Sequence, residues 1–215
     1  TNGGVMYRRG EVKRPQDMIG KRLQYPGAPG PGGLAIVRSM IERDGGPKDA
    51  PLTPVNRGFH HTDALLDGDA DLATLVFFNF EVLEARARGL DVDFFSLRDW
   101  GVPDFCQLVL VAASSWLDAK QDVARRFIAV LRRGIDVIRQ DPERAESEYW
   151  TASGQDPDDL GRQIYRATTA CFTPDFSMSR EYYEHLDAWM RATKQTAREV
   201  GPSEAWTNRL ALAAS

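Results

Sequence analysis

Residues Ala70–Glu81 read ADLATLVFFNFE. The first part, ADLATLVFF, is an apolar run rich in strand-favouring residues and predicts a strand. From Asn79 onward, NFEVLEARARGL predicts a helix. Asn79 is a natural N-cap, and Glu81 sits in the first turn, where a carboxylate meets the positive end of the helix dipole. DVDFFSL then predicts another strand. Strand, helix and strand in direct succession imply an α/β sheet with parallel pairs. The junction FFNFE, Phe77–Glu81, has two readings on the residues alone. It is core packing followed by a helix cap, or it is the aromatic wall of a small-molecule pocket.

The same alternation extends in both directions. KRLQY, Lys21–Tyr25, predicts a strand. The proline- and glycine-rich run Pro26–Gly33 predicts a loop, and LAIVRSMIERDGG predicts a helix stopped by a Gly pair. PLTPVNRGF suggests a short strand, and HHTDALLDGD a short helix with Thr62 or Asp63 near its cap. RDWGVPDF reads as a loop. CQLVLVAAS, Cys106–Ser114, reads as a strand apolar enough to be buried on both faces. The opening TNGGVMYRRGEVKRPQDMIG is polar and rich in turn formers, with a helical turn closing on Gly20. From Ser115 the pattern becomes helical, with apolar positions at Val123, Phe127, Val130, Leu131 and Ile135. Two further helices follow in DPDDLGRQIYRATTACF and SREYYEHLDAWMRATKQ. No strand is expected after Ala113, and the tail EVGPSEAWTNRLALAAS reads as a weak helix.

The 215 residues suffice for one large domain or two small lobes, and 42% apolar content provides a core. A net charge of −4 gives no electrostatic case for nucleic acid. No apolar run is long enough to span a membrane as a helix. No leader opens the sequence, and a leader already removed would leave the same text. Cys106 and Cys171 match no metal spacing. Each is expected to be a small buried hydrophobe, and a disulfide between them is left open. HHTD is not a metal site, because adjacent histidines face different ways and no third ligand is spaced to join them. SSWL lacks a nucleophile elbow, so Ser114 and Ser115 read as a helix cap.

RPQDMIGKRLQYPGAPG, followed by the stretch from DALLDGD through FFNFE and WGVPDF to LVLVAASSWL, resembles the NMT1/THI5-like group of ABC-transporter substrate-binding proteins. The likeness runs from about Lys13 to Lys194. It implies a periplasmic-binding-protein-like (type II) α/β lobe with a parallel-rich sheet over residues 1–114. Residues 115–215 would then be a helical segment belonging to a first lobe that is otherwise missing, since family members carry a further segment ahead of the point where this chain opens.

The implied ligand is an aminopyrimidine-like thiamine precursor. Phe78 or Phe80 would stack on its face. Glu81 would accept from its exocyclic amine, and Asn79 would serve a remaining polar group. Tyr25, Gly27 and Gly30 are implied contacts from the glycine-rich loop, as are Trp100 and Asp104 from a hinge at RDWGVPDF. The resemblance implies no catalytic residue, cofactor or metal, an ABC permease as partner, and a periplasmic or extracytoplasmic location. Bare apolar helix faces imply a homo-oligomer, most simply a dimer, with Phe127, Leu131, Tyr165 or Trp189 near the contact. Two rivals remain. One is a pyrimidine synthase of the same fold, a class whose cysteine-rich iron-binding run has no counterpart in this sequence. The other is a remnant or regulatory protein without transport function.

Overall fold

The computed structural model describes residues 2–105, 108–201 and 206–211. The chain divides into two compact units. One comprises Thr1–Gln107 with His185–Glu199, the other Leu108–Glu184 with Val200–Ser215.

The first unit is a five-stranded sheet of order β3-β2-β4-β1-β5. Its strands are β1 (Gly3–Arg8), β2 (Arg22–Gln24), β3 (Thr53–Val55), β4 (Leu72–Phe77) and β5 (Val92–Ser96). Strand β2 is parallel to β3 and β4, and β1 is antiparallel to β4 and β5. Four strands therefore run one way, with β1 opposed between two of them. The opening stretch had read as turn formers, yet it supplies this inner strand. The misreading lies in Gly3–Gly4, which signals a turn. At Gly4 a Cβ would come within 2.1 Å of the Phe94 ring and 2.3 Å of the Phe95 carbonyl. Glycine is there for close approach, as in other strand glycines.

Helices cover both faces of the sheet, as an α/β sheet requires. On one face, Val5, Tyr7, Leu23, Tyr25 and Leu72 pack with Ile36, Val37, Met40 and Ile41 of α1 (Pro31–Arg43). On the other, Met6, Ala73, Val76 and Val92 pack with Leu65 of α2 (His61–Leu66) and with Val82 and Ala85 of α3 (Glu81–Ala87). Ion pairs pin the rim, with Arg22 reaching Asp71 at 2.6 Å and Arg14 reaching Asp44 at 2.8 Å.

One irregularity sets which side chains face where. The pairing of β1 with β4 steps from Gly4↔Val76 to Val5↔Thr74, leaving Leu75 as a bulge. Leu75 sits at φ +62°, a left-handed conformation costly for leucine. Thr74 and Leu75 are consecutive, so regular strand geometry through Leu75 would turn Val76 to the α1 face and Phe77 to the other. With the bulge, Val76 joins the α2–α3 core.

The second unit is helical over its described residues. It holds α4 (Ser114–Ala119), α5 (Gln121–Gln140), α6 (Pro142–Ser153), α7 (Asp159–Thr169) and the start of α8 (Arg180–Ala192). The long helical stretch breaks where Pro142 opens α6 and Asp141 caps it, accepting from the Arg144 N–H at 3.1 Å. Asp158 caps α7 in the same way, accepting from Gly161 at 2.7 Å. The Glu146 carboxylate is buried between α6 and α7. It accepts from Arg166 Nε at 2.8 Å and lies 3.6 Å from Arg162.

Several expectations are corrected. Leu108–Ala113 form no strand, and Leu108 and Val111 are almost fully exposed. A strand buried on both faces needs partners for its N–H and C=O groups, and among the described residues this segment pairs with no strand. Cys106 lies outside the described residues. Cys171 is exposed and free rather than buried. Ser114 and Ser115 lie inside α4, and Ala113 takes the capping position. Trp206–Ala211 of the tail contain no helix. Trp189 does not lie on a bare face, because it packs on the α1 side of the first core and donates to Ser39 Oγ at 3.0 Å.

Candidate functional site

Because β2, β3, β4 and β5 point the same way, their C-terminal ends share one edge of the sheet. Such edges are where open α/β sheets bind ligands, because loops and helix starts converge there. Four segments leave this edge: Tyr25–Gly30 after β2, Asn56–His60 after β3, Phe78–Phe80 after β4 and Leu97–Trp100 after β5. Chain topology alone thus brings Tyr25, Gly27, Gly30, Phe78, Asn79, Phe80, Glu81 and Trp100 to a common rim. Asp104 lies further along the last segment and is exposed.

Phe78 and Phe80 are 43% and 47% exposed, and Asn79 is buried between them in sequence. Asn79 is not the helix cap. Phe80 holds that position, with φ −132° and ψ −82°. The Glu81 Oε2 instead accepts from the Phe77 N–H at 2.7 Å, tying the start of α3 back to the end of β4. Burial pushes the Glu81 carboxyl upward, against the pull of the Phe77 N–H and its own backbone N–H. The Phe78 ring meets Phe94 edge-on at 6.4 Å, which fixes one side of the rim.

The glycine-rich loop is held from within. Tyr25 is 1% exposed, and its hydroxyl donates to the Gly30 carbonyl at 2.7 Å. Tyr25 therefore supports the loop instead of opening to solvent. A Cβ at Gly33 would lie 2.4 Å from that ring, so α1 must begin with glycine there. Gly27 has φ +81°, and a Cβ there meets nothing within 4 Å. Trp100 is half-buried, edge-on to Phe95 at 5.8 Å.

The segment after β3 belongs to the same rim, a point the residues did not suggest. Gln24 is fully buried and uses its whole carboxamide on this loop. Its Nε2 donates to Gly58 O at 2.7 Å, and its Oε1 accepts from the Arg57 N–H at 2.8 Å. Asn56 Nδ2 donates to Ala28 O at 2.9 Å, tying this loop to the glycine-rich one. Phe59 projects from it with 82% of its surface exposed. The signal in sequence was slight, a lone aromatic after Arg57–Gly58.

A groove of about 510 Å³ lies in the second unit, lined by residues including Glu146, Trp150, Arg162 and Arg166. Its carboxylate is engaged by both arginines, so we read it as structural packing between α6 and α7. Among the described residues no cluster of His, Cys, Asp or Glu has the arrangement of a metal centre, and no helix is long and apolar enough to cross a membrane.

The α/β fold agrees with comparisons to known proteins. The NMT1/THI5-like family model matches residues 1–145, and the chain belongs to that family. A formylaminopyrimidine-binding protein of Halalkalibacterium halodurans is 26% identical over 131 residues, covering 61% of this chain and 39% of that protein. The periplasmic aliphatic sulphonate-binding protein SsuA of Escherichia coli superposes with TM-score 0.63 at 10% identity, over 96% of this chain and 65% of that one. The alkanesulfonate-binding SsuA of Xanthomonas axonopodis pv. citri, bound to MOPS, gives TM-score 0.62 at 13% identity, over 93% and 67%. The α/β fold is thus that of these binding proteins. The chain spans about two fifths of the curated relative's length and about two thirds of the E. coli structure's.

Proposed function

We propose that this chain is the ligand-binding part of a solute-binding protein serving an ABC importer, and that its ligand is an aminopyrimidine of the thiamine-precursor type. One observation carries the reading. At the sheet edge, the half-buried Glu81 carboxylate stands in a short segment with the exposed rings of Phe78 and Phe80. A flat ring with an exocyclic amine answers both features. It stacks on an aromatic face and donates to a carboxylate that burial has deprived of water. The family membership and the formylaminopyrimidine-binding relative support the ligand class. In this reading the protein binds without covalent chemistry. It works outside the cytoplasm with a permease, and the helical second unit is part of the first lobe.

Calorimetry with formylaminopyrimidine tests it. Glu81→Gln keeps an acceptor for the Phe77 N–H and removes the charge, so it is expected to weaken binding by about 1.5–3 kcal/mol. Asn79→Ala is expected to cost about half as much, as a neutral hydrogen bond would. Equal affinity for parent and Glu81→Gln would take Glu81 out of the site.

A further inference from the structure

We infer that Phe59 is a further ligand-contacting residue, one that selects the substituent carried by the pyrimidine. The inference rests on the ligand class proposed above and adds a residue that sequence reading passed over.

Three observations carry it. First, Phe59 leaves the C-terminal edge of β3, and β3 is parallel to β2, which is parallel to β4. It therefore stands on the same rim as Phe78–Glu81. Second, Phe59 is the most exposed aromatic of the first unit, at 82%. Its one ring neighbour is His61, edge-on with centroids 6.5 Å apart. A phenylalanine this bare contributes little to folding, and its apolar surface in water is unfavourable until something covers it. Third, the loop that presents it is fixed. The buried Gln24 carboxamide holds Arg57 and Gly58, Asn56 Oδ1 accepts from the Gly58 N–H at 3.0 Å, and Arg57 O accepts from the His60 N–H at 3.1 Å. A ring held in place before binding loses little freedom when a ligand arrives.

Geometry sets what it touches. Two strand spacings separate β3 from β4, about 9–10 Å. A single ring held at Glu81 does not span that gap. A substituent on the ring reaches toward it, so Phe59 meets the substituent and the β4 segment meets the ring. The site then prefers pyrimidines with an extended group over bare rings.

The test uses two probes, formylaminopyrimidine and 4-aminopyrimidine, titrated calorimetrically into the parent, Phe59→Ala and Phe59→Tyr, with melting curves for each. Phe59→Ala is expected to weaken formylaminopyrimidine about tenfold. It should leave 4-aminopyrimidine and the melting temperature unchanged, and Phe59→Tyr should restore affinity. Unchanged formylaminopyrimidine affinity in Phe59→Ala, with binding lost in Glu81→Gln, overturns this inference and leaves the proposed ligand class standing. Equal weakening for both probes overturns the assignment to the substituent. A parent that binds neither probe overturns the ligand class, and this inference with it.

Discussion

At the scale of single residues, two buried groups give measurable consequences. His61 is 1% exposed, and neither ring nitrogen has a hydrogen-bond partner. Burial, with a smaller contribution from neighbouring His60, pulls its pKa down to about 4 from 6.5. The native state therefore sheds this proton more readily than the unfolded chain. Stability is full above about pH 6.5, falls as pH drops toward 4 and levels off below that, for a total of roughly 3 kcal/mol. Urea titrations at pH 7 and pH 5 are expected to show about 2 kcal/mol of this loss, and His61→Leu to remove most of it. A slope unchanged in His61→Leu would assign the acid sensitivity to another group. The second case is Gly33. A methyl group there would overlap the Tyr25 ring at 2.4–2.6 Å. Gly33→Ala is expected to cost about 1–3 kcal/mol by overpacking and to loosen the Tyr25–Gly30 bond. Gly27→Ala meets no atom, so its penalty should come from its positive φ alone. Denaturation midpoints of the pair separate the two mechanisms.

At the scale of elements, the bulge in β4 decides how the aromatic segment is delivered. Leu75 makes the chain step without changing face, and the next residues fall into the opposite alternation. Deleting Leu75 would close the bulge with Thr74 still opposite Val5 and Val76 still opposite Gly4, so both keep their faces; the deletion is expected to lower the urea midpoint through the lost Leu75 packing on the α1 core, offset in part by release of the left-handed residue. Leu75→Met keeps the register and should cost under about 1.5 kcal/mol. A deletion that abolishes folding would show that the bulge itself, and not the register around it, is required. The apolar run and the helix that follows it were readable from residue type, because burial and periodicity are local. The bulge was not, since LATLV carries no glycine to announce it. The inner position of β1 was equally hidden, because its Gly4 answers to Phe94 and Phe95, far along the chain.

At the scale of the whole molecule, the apolar stripe of α5 is the feature that calls for a partner. Phe127 and Val130 are 53% and 62% exposed, and Leu108, Leu110 and Val111 add a second apolar surface in the same unit. Patches of this kind mark association sites. Self-association is the expected outcome, with a twofold dimer the simplest form. Light scattering across a dilution series should show a mass that falls on dilution, and Phe127→Glu should shift it to monomer. A constant monomer mass at all concentrations would rule the dimer out. Trp189 drops out of the expected contact because Ser39 and the first core already hold it. Leu131 and Tyr165 are only partly exposed.

The sequence by itself determined the α/β alternation up to RDWGVPDF, the change to helix near Ser114 and the family, because each of these is written in neighbouring residues. It also singled out FFNFE, though it placed the cap at Asn79 where the structure has Phe80. The tertiary structure alone decided that β1 runs against its neighbours and that Tyr25 is a support. It also decided that LVLVA lies bare and that the loop carrying Phe59 shares the rim with Glu81. The physical reason is common to all four. Strand pairing, burial and loop anchoring are set by contacts between residues distant in the chain, and one sequence read in order holds the parts of those contacts without their pairing.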